Sequence, residues 1–380
     1  MKNFSNELIK FISDRVRDMG PITFKDFMDI ALYHEKYGYY SGPYMPIGKK
    51  GDFITSPHTH CLYGALHARQ IEEFWNILDR KDFTIVEMGA GAGYLAQDIL
   101  SYFSNRQIFK AINYIIVEHK AATASCQQKL LKPFINKISW INSLLDLDSV
   151  TGCIISNELL DSFPVHVIQK EFSGFQEIYV DFRKDEGATE VFGDLSVHQL
   201  MEYAKTIPSE IAEGYRTEVN LGMKRWISEL AEIIYEGFVV TIDYGYTRKE
   251  YFHPARNRGT LLAYGNHEVN ENLYERPGEQ DLTAHVNFSD LHRWGQDAGF
   301  FTLGYAPQWA FLAGLDFEET FLELSGGKFD PFSPELAAVK MLLLPQGMGE
   351  SHKVLVQGKG VSSDLALKGF SLKNIMKRLE

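Results

Sequence analysis

At 380 residues the chain is long for one hydrophobic core, so a main domain with a smaller accessory region is expected. Hydrophobic residues make up 45% and charged residues 23%, the balance of a globular chain and not of a disordered one. The net charge is -12 with no dense Lys/Arg run to offset it, which argues against nucleic acid as a partner because phosphate repels an acidic surface.

Residues 4–19 carry Phe4, Leu8, Ile12 and Val16 at helical spacing. Gly20-Pro21 breaks the pattern, and Thr23 opens a second capped helix running to Leu32. Residues 33–57 are rich in Tyr, Gly and Pro and read as a long loop, the kind that usually covers a site or works in it. A helical pattern returns over 58–79. From there, short apolar runs alternate with helical stretches. FTIVEM (83–88) precedes GAGAG (89–93) and a helix from Tyr94 to Tyr102. NYIIVE (113–118) precedes a helix to about Leu131, a weaker strand lies near 138–141, and GCIISN (152–157) follows. Such alternation predicts βαβ units around a parallel sheet. From Val165 to Gly193 the period becomes two, which predicts an inserted β-meander, followed by a polar helical segment over 195–213. A helix over 222–235 leads into GFVVTIDYG (237–245), a fifth parallel strand. Residues 246–288 read as another long polar and aromatic loop. Helical patches lie at 289–298 and 334–344, and FFTLGY (300–305) with KVLVQGK (353–359) form a candidate antiparallel edge pair.

Cys61, Cys126 and Cys153 are too few and too scattered for a disulfide framework or a zinc set, which fits a reducing compartment. The first twenty residues lack the pattern of a signal or transit peptide, and no stretch is apolar enough to span a bilayer. A cytoplasmic, bacterial-type protein without membrane insertion is the expectation.

The strongest chemical signal is Val86-Glu87-Met88-Gly89-Ala90-Gly91-Ala92-Gly93, set between a strand and a helix. Glycines there permit a tight turn and close ligand approach. A dinucleotide loop wants GxGxxG, but Tyr94 occupies the third position. The glycines instead alternate behind an acid, as in the first motif of class I methyltransferases, whose ligand ends in a zwitterionic amino acid. A tight turn with no ligand competes with both readings. Glu118 ends the second strand, where an acid accepts hydrogen bonds from ribose hydroxyls. It favours a ribosylated ligand without separating a nicotinamide from a methyl donor. Asn157, Glu158 and Asp161 follow the fourth strand directly, at the crevice of an open α/β sheet, and are poor choices for a core. Helix capping by Asn157 or Asp161 is the simpler alternative. Asp243 ends the fifth strand at the same edge, where turn chemistry also favours Asp-Tyr-Gly. His58, His60, Cys61 and His67 lack a second cysteine or carboxylate at ligand spacing, so no metal is expected. His267, His285 and His292 lie in or near the late loops, as cleft candidates or surface residues.

Together these residues give a resemblance. The chain resembles the MidA-type methyltransferases, the family that includes the mitochondrial complex I assembly-factor arginine methyltransferase and many bacterial proteins. The matching stretches span most of the chain: ITFKDFMDIALYHEKYGYYSG (22–42), GDFITSP (51–57), VEMGAGAGYLAQDIL (86–100), IIVEHK (115–120), SNELLDSFPV (156–165), EGYRTEVN (213–220), IDYGY (242–246), RGTLLAYGNHEVN (258–270), DLTAHVNF (281–288) and KVLVQGKG (353–360). The resemblance implies a class I, Rossmann-like α/β fold and S-adenosyl-L-methionine as cofactor. It places Glu87, Gly89, Gly91, Gly93 and Glu118 on that cofactor, with Asp52, Phe53 and Thr55 closing over it. Residues 1–79 then form an N-terminal region over the cofactor site. Residues 80–380 form the methyltransferase domain, with insertions at about 165–220 and 246–288. The implied substrate is a protein arginine, on a respiratory-complex subunit in the mitochondrial members. A guanidinium is best held by carboxylates in forked geometry, and Glu158, Asp161, Asp243 and Glu218 are the acids available, with Asn157 on the acceptor nitrogen. His58-Thr59-His60 departs from the family's usual acid-containing continuation. A small-molecule methyltransferase, a non-catalytic assembly scaffold and a nicotinamide dehydrogenase are the competing functions.

Overall fold

The structure is a computed structural model that describes residues 4–41, 56–183, 187–265, 268–327, 334–344 and 347–380. Its centre is a sheet of seven long strands: β1 (Phe83–Met88), β2 (Ile112–Val117), β3 (Ile138–Ile141), β4 (Val150–Asn157), β5 (Ile234–Tyr246), β6 (Phe301–Pro307) and β7 (His352–Lys359). They lie in the order β3-β2-β1-β4-β5-β7-β6, with Val286–Asn287 paired beside β5. Strands β1 to β5 are mutually parallel, and β7 runs antiparallel to both of its neighbours. The chain builds outward from β1 to β3 and then returns to the other side of β1 with β4. That reversal opens a crevice at the carboxyl ends of β1 and β4, where ligands bind in doubly wound sheets.

Near-continuous apolar strands demand cover on both faces. On one face lie α3 (Leu62–Ile77) and α4 (Tyr94–Phe103), with Leu66, Phe74, Leu95 and Ile99 against Ile85 and Phe238. Phe74 and Phe238 stack with centroids 4.0 Å apart. Gly64 lets these two helices touch, because a Cβ there would sit 2.3 Å from Asp98 Cβ. The other face takes α6 (Leu221–Ile233) and α7 (Phe288–Asp297), with Trp226, Leu230 and Leu291 over Val86, Ile154 and Val239. Between them in sequence, α5 (Ala121–Leu130) follows β2.

The period-two stretch forms a separate antiparallel sheet from His166–Glu171, Gly174–Arg183, Gly187–Gly193 and Arg216–Val219. The two residues Ile22–Thr23 join it, so the N-terminal region is zipped onto this insertion. α1 (Phe4–Met19) and α2 (Phe24–Tyr33) share its core through Leu8, Phe27, Val167 and Val180. Thr23 caps α2 by accepting a hydrogen bond from Asp26 N at 3.1 Å.

Two expectations differ from the structure. Residues 246–288 hold a three-stranded sheet of Leu262–Gly265, Glu268–Asn270 and Asp281–Thr283, strands too short to show a period. The polar stretch 195–213 is helical only over His198–Ala204. No helix among the described residues is long and apolar enough to cross a membrane.

Candidate active site

A cavity of about 840 Å³ lies at the carboxyl edge of β1, β4 and β5, within the size range of small-molecule sites. One end is the turn after β1. Gly89, Gly91 and Gly93 all adopt left-handed backbone, at φ 71°, 51° and 91°. Only glycine does so without strain, and the bare turn leaves amides open to a ligand. A Cβ on Gly89 would also press to 3.0 Å from Leu159 Cδ1. Gly93 then starts α4, whose first amides face the cavity end of the helix. Glu87 is buried at the end of β1, where its carboxylate accepts a 2.8 Å hydrogen bond from Tyr114 OH. Burial pushes its carboxyl up to about 7, against the partial relief from Tyr114.

Glu118 lies just past β2 and lines the same end. Its carboxylate accepts from Lys120 N at 2.8 Å and from Gln127 Nε2 at 3.4 Å. The fully buried Gln127 on α5 also donates to Gly91 O at 2.9 Å and accepts from Trp140 Nε1 at 2.9 Å. One amide therefore braces both the glycine turn and the acid of the next strand. Nothing in the sequence marks Gln127, since a glutamine on a helix usually faces water.

The other end is acidic. Asn157 closes β4, and Tyr63 OH from α3 donates to its Oδ1 at 2.6 Å. Asn157 Nδ2 in turn donates to Glu158 Oε1 at 3.2 Å. Glu158 has φ 51°, an uncommon conformation for a side chain of its size, and lines the cavity. Tyr244 OH donates to Asp161 Oδ2, while Asp161 Oδ1 is buried with no hydrogen-bond partner among the described residues. Burial pushes the Asp161 carboxyl up to about 7.

Asp243 is placed differently from Asn157, Glu158 and Asp161. It is fully buried and not on the cavity wall. Its Oδ2 accepts from Leu160 N at 2.9 Å and Asp161 N at 3.3 Å, and its Oδ1 from Tyr244 N at 2.9 Å. Burial, with Asp161 and Glu158 nearby, holds its carboxyl well above the ordinary range. Glu218 is also away from the cavity, accepting from Thr260 N, Thr260 Oγ1 and Tyr251 OH. It pins one insertion to the other.

The N-terminal region walls the cavity through Tyr33, Tyr40, Pro57 and His58. Tyr33 OH donates to Ser162 O at 3.0 Å, Tyr40 OH to Asp281 at 2.9 Å, and Lys120 Nζ to Tyr40 O at 2.9 Å. Asp52, Phe53 and Thr55 lie outside the described residues, as does His267. His58 sits edge-on to Tyr94 at 4.8 Å. His67 is buried in α3 with Nδ1 2.8 Å from Tyr63 O, so it belongs to the helix core. His292 on α7 pairs with Thr302 of β6, away from the cavity, whereas His285 lines it. Tyr244, read in the sequence only as part of Asp-Tyr-Gly, lines it as well, as does His352, which did not stand out in the sequence.

Residues 66–306, well over half the chain, match the family described as S-adenosyl-L-methionine-dependent methyltransferase. The chain belongs to that family. This methyltransferase is 30% identical over 353 residues to the mitochondrial protein arginine methyltransferase NDUFAF7 homolog of Caenorhabditis elegans, covering 84% of this chain and 79% of that one. It is 27% identical over 379 residues to the human NDUFAF7, covering 90% and 81%. A crystal structure from Burkholderia thailandensis, bound to S-adenosyl-homocysteine, superposes with a TM-score of 0.88 at 26% identity, covering 98% of this chain and 96% of that one. The methyltransferase is thus a class I, Rossmann-like enzyme with S-adenosylmethionine as its cofactor. The chemistry of the cavity fits that group: bare glycine amides suit a carboxylate, and the Glu118 carboxylate on the same wall suits a diol.

Proposed function

We propose that this methyltransferase modifies an arginine guanidinium on a protein substrate. The observation that carries the reading is the acidic end of the cavity, where Asp161 Oδ1 is buried without a partner among the described residues and Glu158 lies close by. A guanidinium stays charged near neutral pH and presents N–H groups in a planar fork, so paired carboxylates suit it. The names of the worm and human relatives support the same acceptor.

When bound, S-adenosylmethionine supplies an electrophilic methyl group on a sulfonium. Gly89, Gly91 and Gly93 would hold it with Glu87 and Glu118. The remaining work is positioning. Glu158 and Asp161 fix the guanidinium plane, and Asn157, itself held by Tyr63, hydrogen-bonds the acceptor nitrogen. Asp243 acts as a positioning residue, because its carboxylate holds the backbone that carries Leu160 and Asp161. A respiratory-complex subunit is the first protein to try as substrate. Three free cysteines fit a reducing compartment, the cytoplasm.

The experiment is labelling of lysate proteins with a radioactive methyl donor, followed by acid hydrolysis of the labelled band. Methylarginine on a discrete band is the expected result. Label confined to small molecules, or recovered on another amino acid, contradicts the proposal.

A further inference from the structure

Strand polarity puts an unassigned group at the acidic end. Because β7 runs against the parallel strands, its first residue lies at their carboxyl edge. That residue is His352, paired with Tyr244 of β5. The residue is 7% exposed and lines the cavity. Its Nε2 makes no hydrogen bond among the described residues and faces Glu158 Oε1 at 3.5 Å. Its Nδ1 lies 3.1 Å from Ser351 Oγ. When Nδ1–H donates to that hydroxyl oxygen, Nε2 keeps an open lone pair toward Glu158. A buried imidazole nitrogen without a partner is costly if packing is its only role.

Methylation of a guanidinium releases a proton. The acceptor enters and leaves as a monocation, while the sulfonium ends as a neutral thioether. The nitrogen forms the new N–C bond, the C–S pair goes to sulfur, and one N–H pair returns to nitrogen as its proton departs. We infer that His352, acting through Glu158, takes up that proton. Glu158 Oε1 receives it from the acceptor nitrogen and passes it to His352 Nε2, and the Nδ1 proton leaves by way of the exposed Ser351 hydroxyl. The 3.5 Å gap is longer than a hydrogen bond, and such contacts tighten when substrate arrives. This role rests on the proposed placement of the guanidinium against Glu158.

Several titratable groups face His352. They are Glu158 and Asp161 from the loop after β4, Tyr244 from β5, and His285 from the segment before α7. Its own segment adds Ser351, Glu350 and Lys353, whose Nζ is turned onto Glu350 O.

The test uses the full chain and an arginine peptide that the parent methylates. His352→Ala is expected to lose about 100-fold or more in kcat, the usual contribution of a positioned proton acceptor. The parental fall in rate toward acid should become shallower with it, leaving the part that belongs to Asp161, and added imidazole should restore part of the rate. Calorimetric affinities for S-adenosylmethionine and for the peptide should stay at parental values. His352→Gln keeps volume and polarity but cannot take the proton, so it should be as slow as the alanine variant. A parental rate in His352→Gln, or slow turnover in His352→Ala that imidazole leaves unchanged, overturns the role. A parent that methylates no arginine peptide overturns the proposed substrate instead, and the same variants on its true acceptor then decide His352.

Discussion

Nearly every group at the glycine end of the cavity comes from one stretch, residues 87–127, whereas the acidic end draws on Tyr63, Asn157 to Asp161, Tyr244, His285 and His352. The first is built by local turn geometry: three left-handed glycines, a helix start and the acid of the next strand. The second exists only after β4, β5 and β7 are side by side and α3 has docked. The glycine end is therefore a property of a βαβ unit, while the acidic end is a property of the whole fold. A change at the glycine end should act on cofactor binding, and one at the acidic end on turnover.

The sharpest way to break this division is Gly91→Val. At φ 51° a branched side chain is strained, and the turn could no longer keep the bare backbone that a ligand approaches. Affinity for S-adenosylmethionine should fall by roughly 100-fold, or about 2.7 kcal/mol. Calorimetry on a variant whose melting is near parental checks it. Unchanged affinity there removes the turn from the cofactor site.

That contrast also governs how much could be read from the sequence. The sheet strands and the glycine turn were legible because their signals are contiguous: apolar runs, alternating glycines, an acid at a fixed place. The place of Glu118 at the cavity edge was legible for the same reason. The Trp140–Gln127 brace was not, since a helix glutamine shows its burial only when β3 lies beside α5. His352 was hidden because residue order does not say that β7 enters the sheet reversed. Asp243 stood at the right edge, yet its side chain turns back onto the backbone of the acidic loop, a direction that only the tertiary contacts decide. Short strands such as Glu268–Asn270 carry too few residues for a period.

A smaller but more selective effect is expected at the acidic end. Asp161→Asn keeps the shape and the contact with Tyr244 but removes the charge that faces the acceptor. Loss of one partner of a buried charged pair costs ~2 kcal/mol or more, so kcat/KM for an arginine peptide should drop roughly 30-fold. Affinity for S-adenosylmethionine should not change. If the loss falls on cofactor binding instead, the two ends are not separable.

The smallest expected effect sharpens the border between them, because Glu87 is buried and still lines the cavity. Its carboxyl is pushed up from 4.5 to about 7 by burial, so between those values the folded protein holds a proton that the unfolded chain has released. Without cofactor, stability is therefore greatest at the acid end of this window and falls as pH rises toward 7. A cationic ammonium beside Glu87 reverses the preference, because it favours the ionised carboxylate. Affinity for S-adenosylmethionine should then rise by roughly tenfold from pH 6 to pH 8, as the ionised fraction grows. Glu87→Gln has nothing to ionise, so its affinity should be flat over that range and its melting temperature less dependent on pH. Calorimetry at three pH values distinguishes the cases. A parental affinity that is already flat means that Glu87 serves the Tyr114 hydroxyl alone, and that the cofactor's ammonium is held from the other side of the glycine turn.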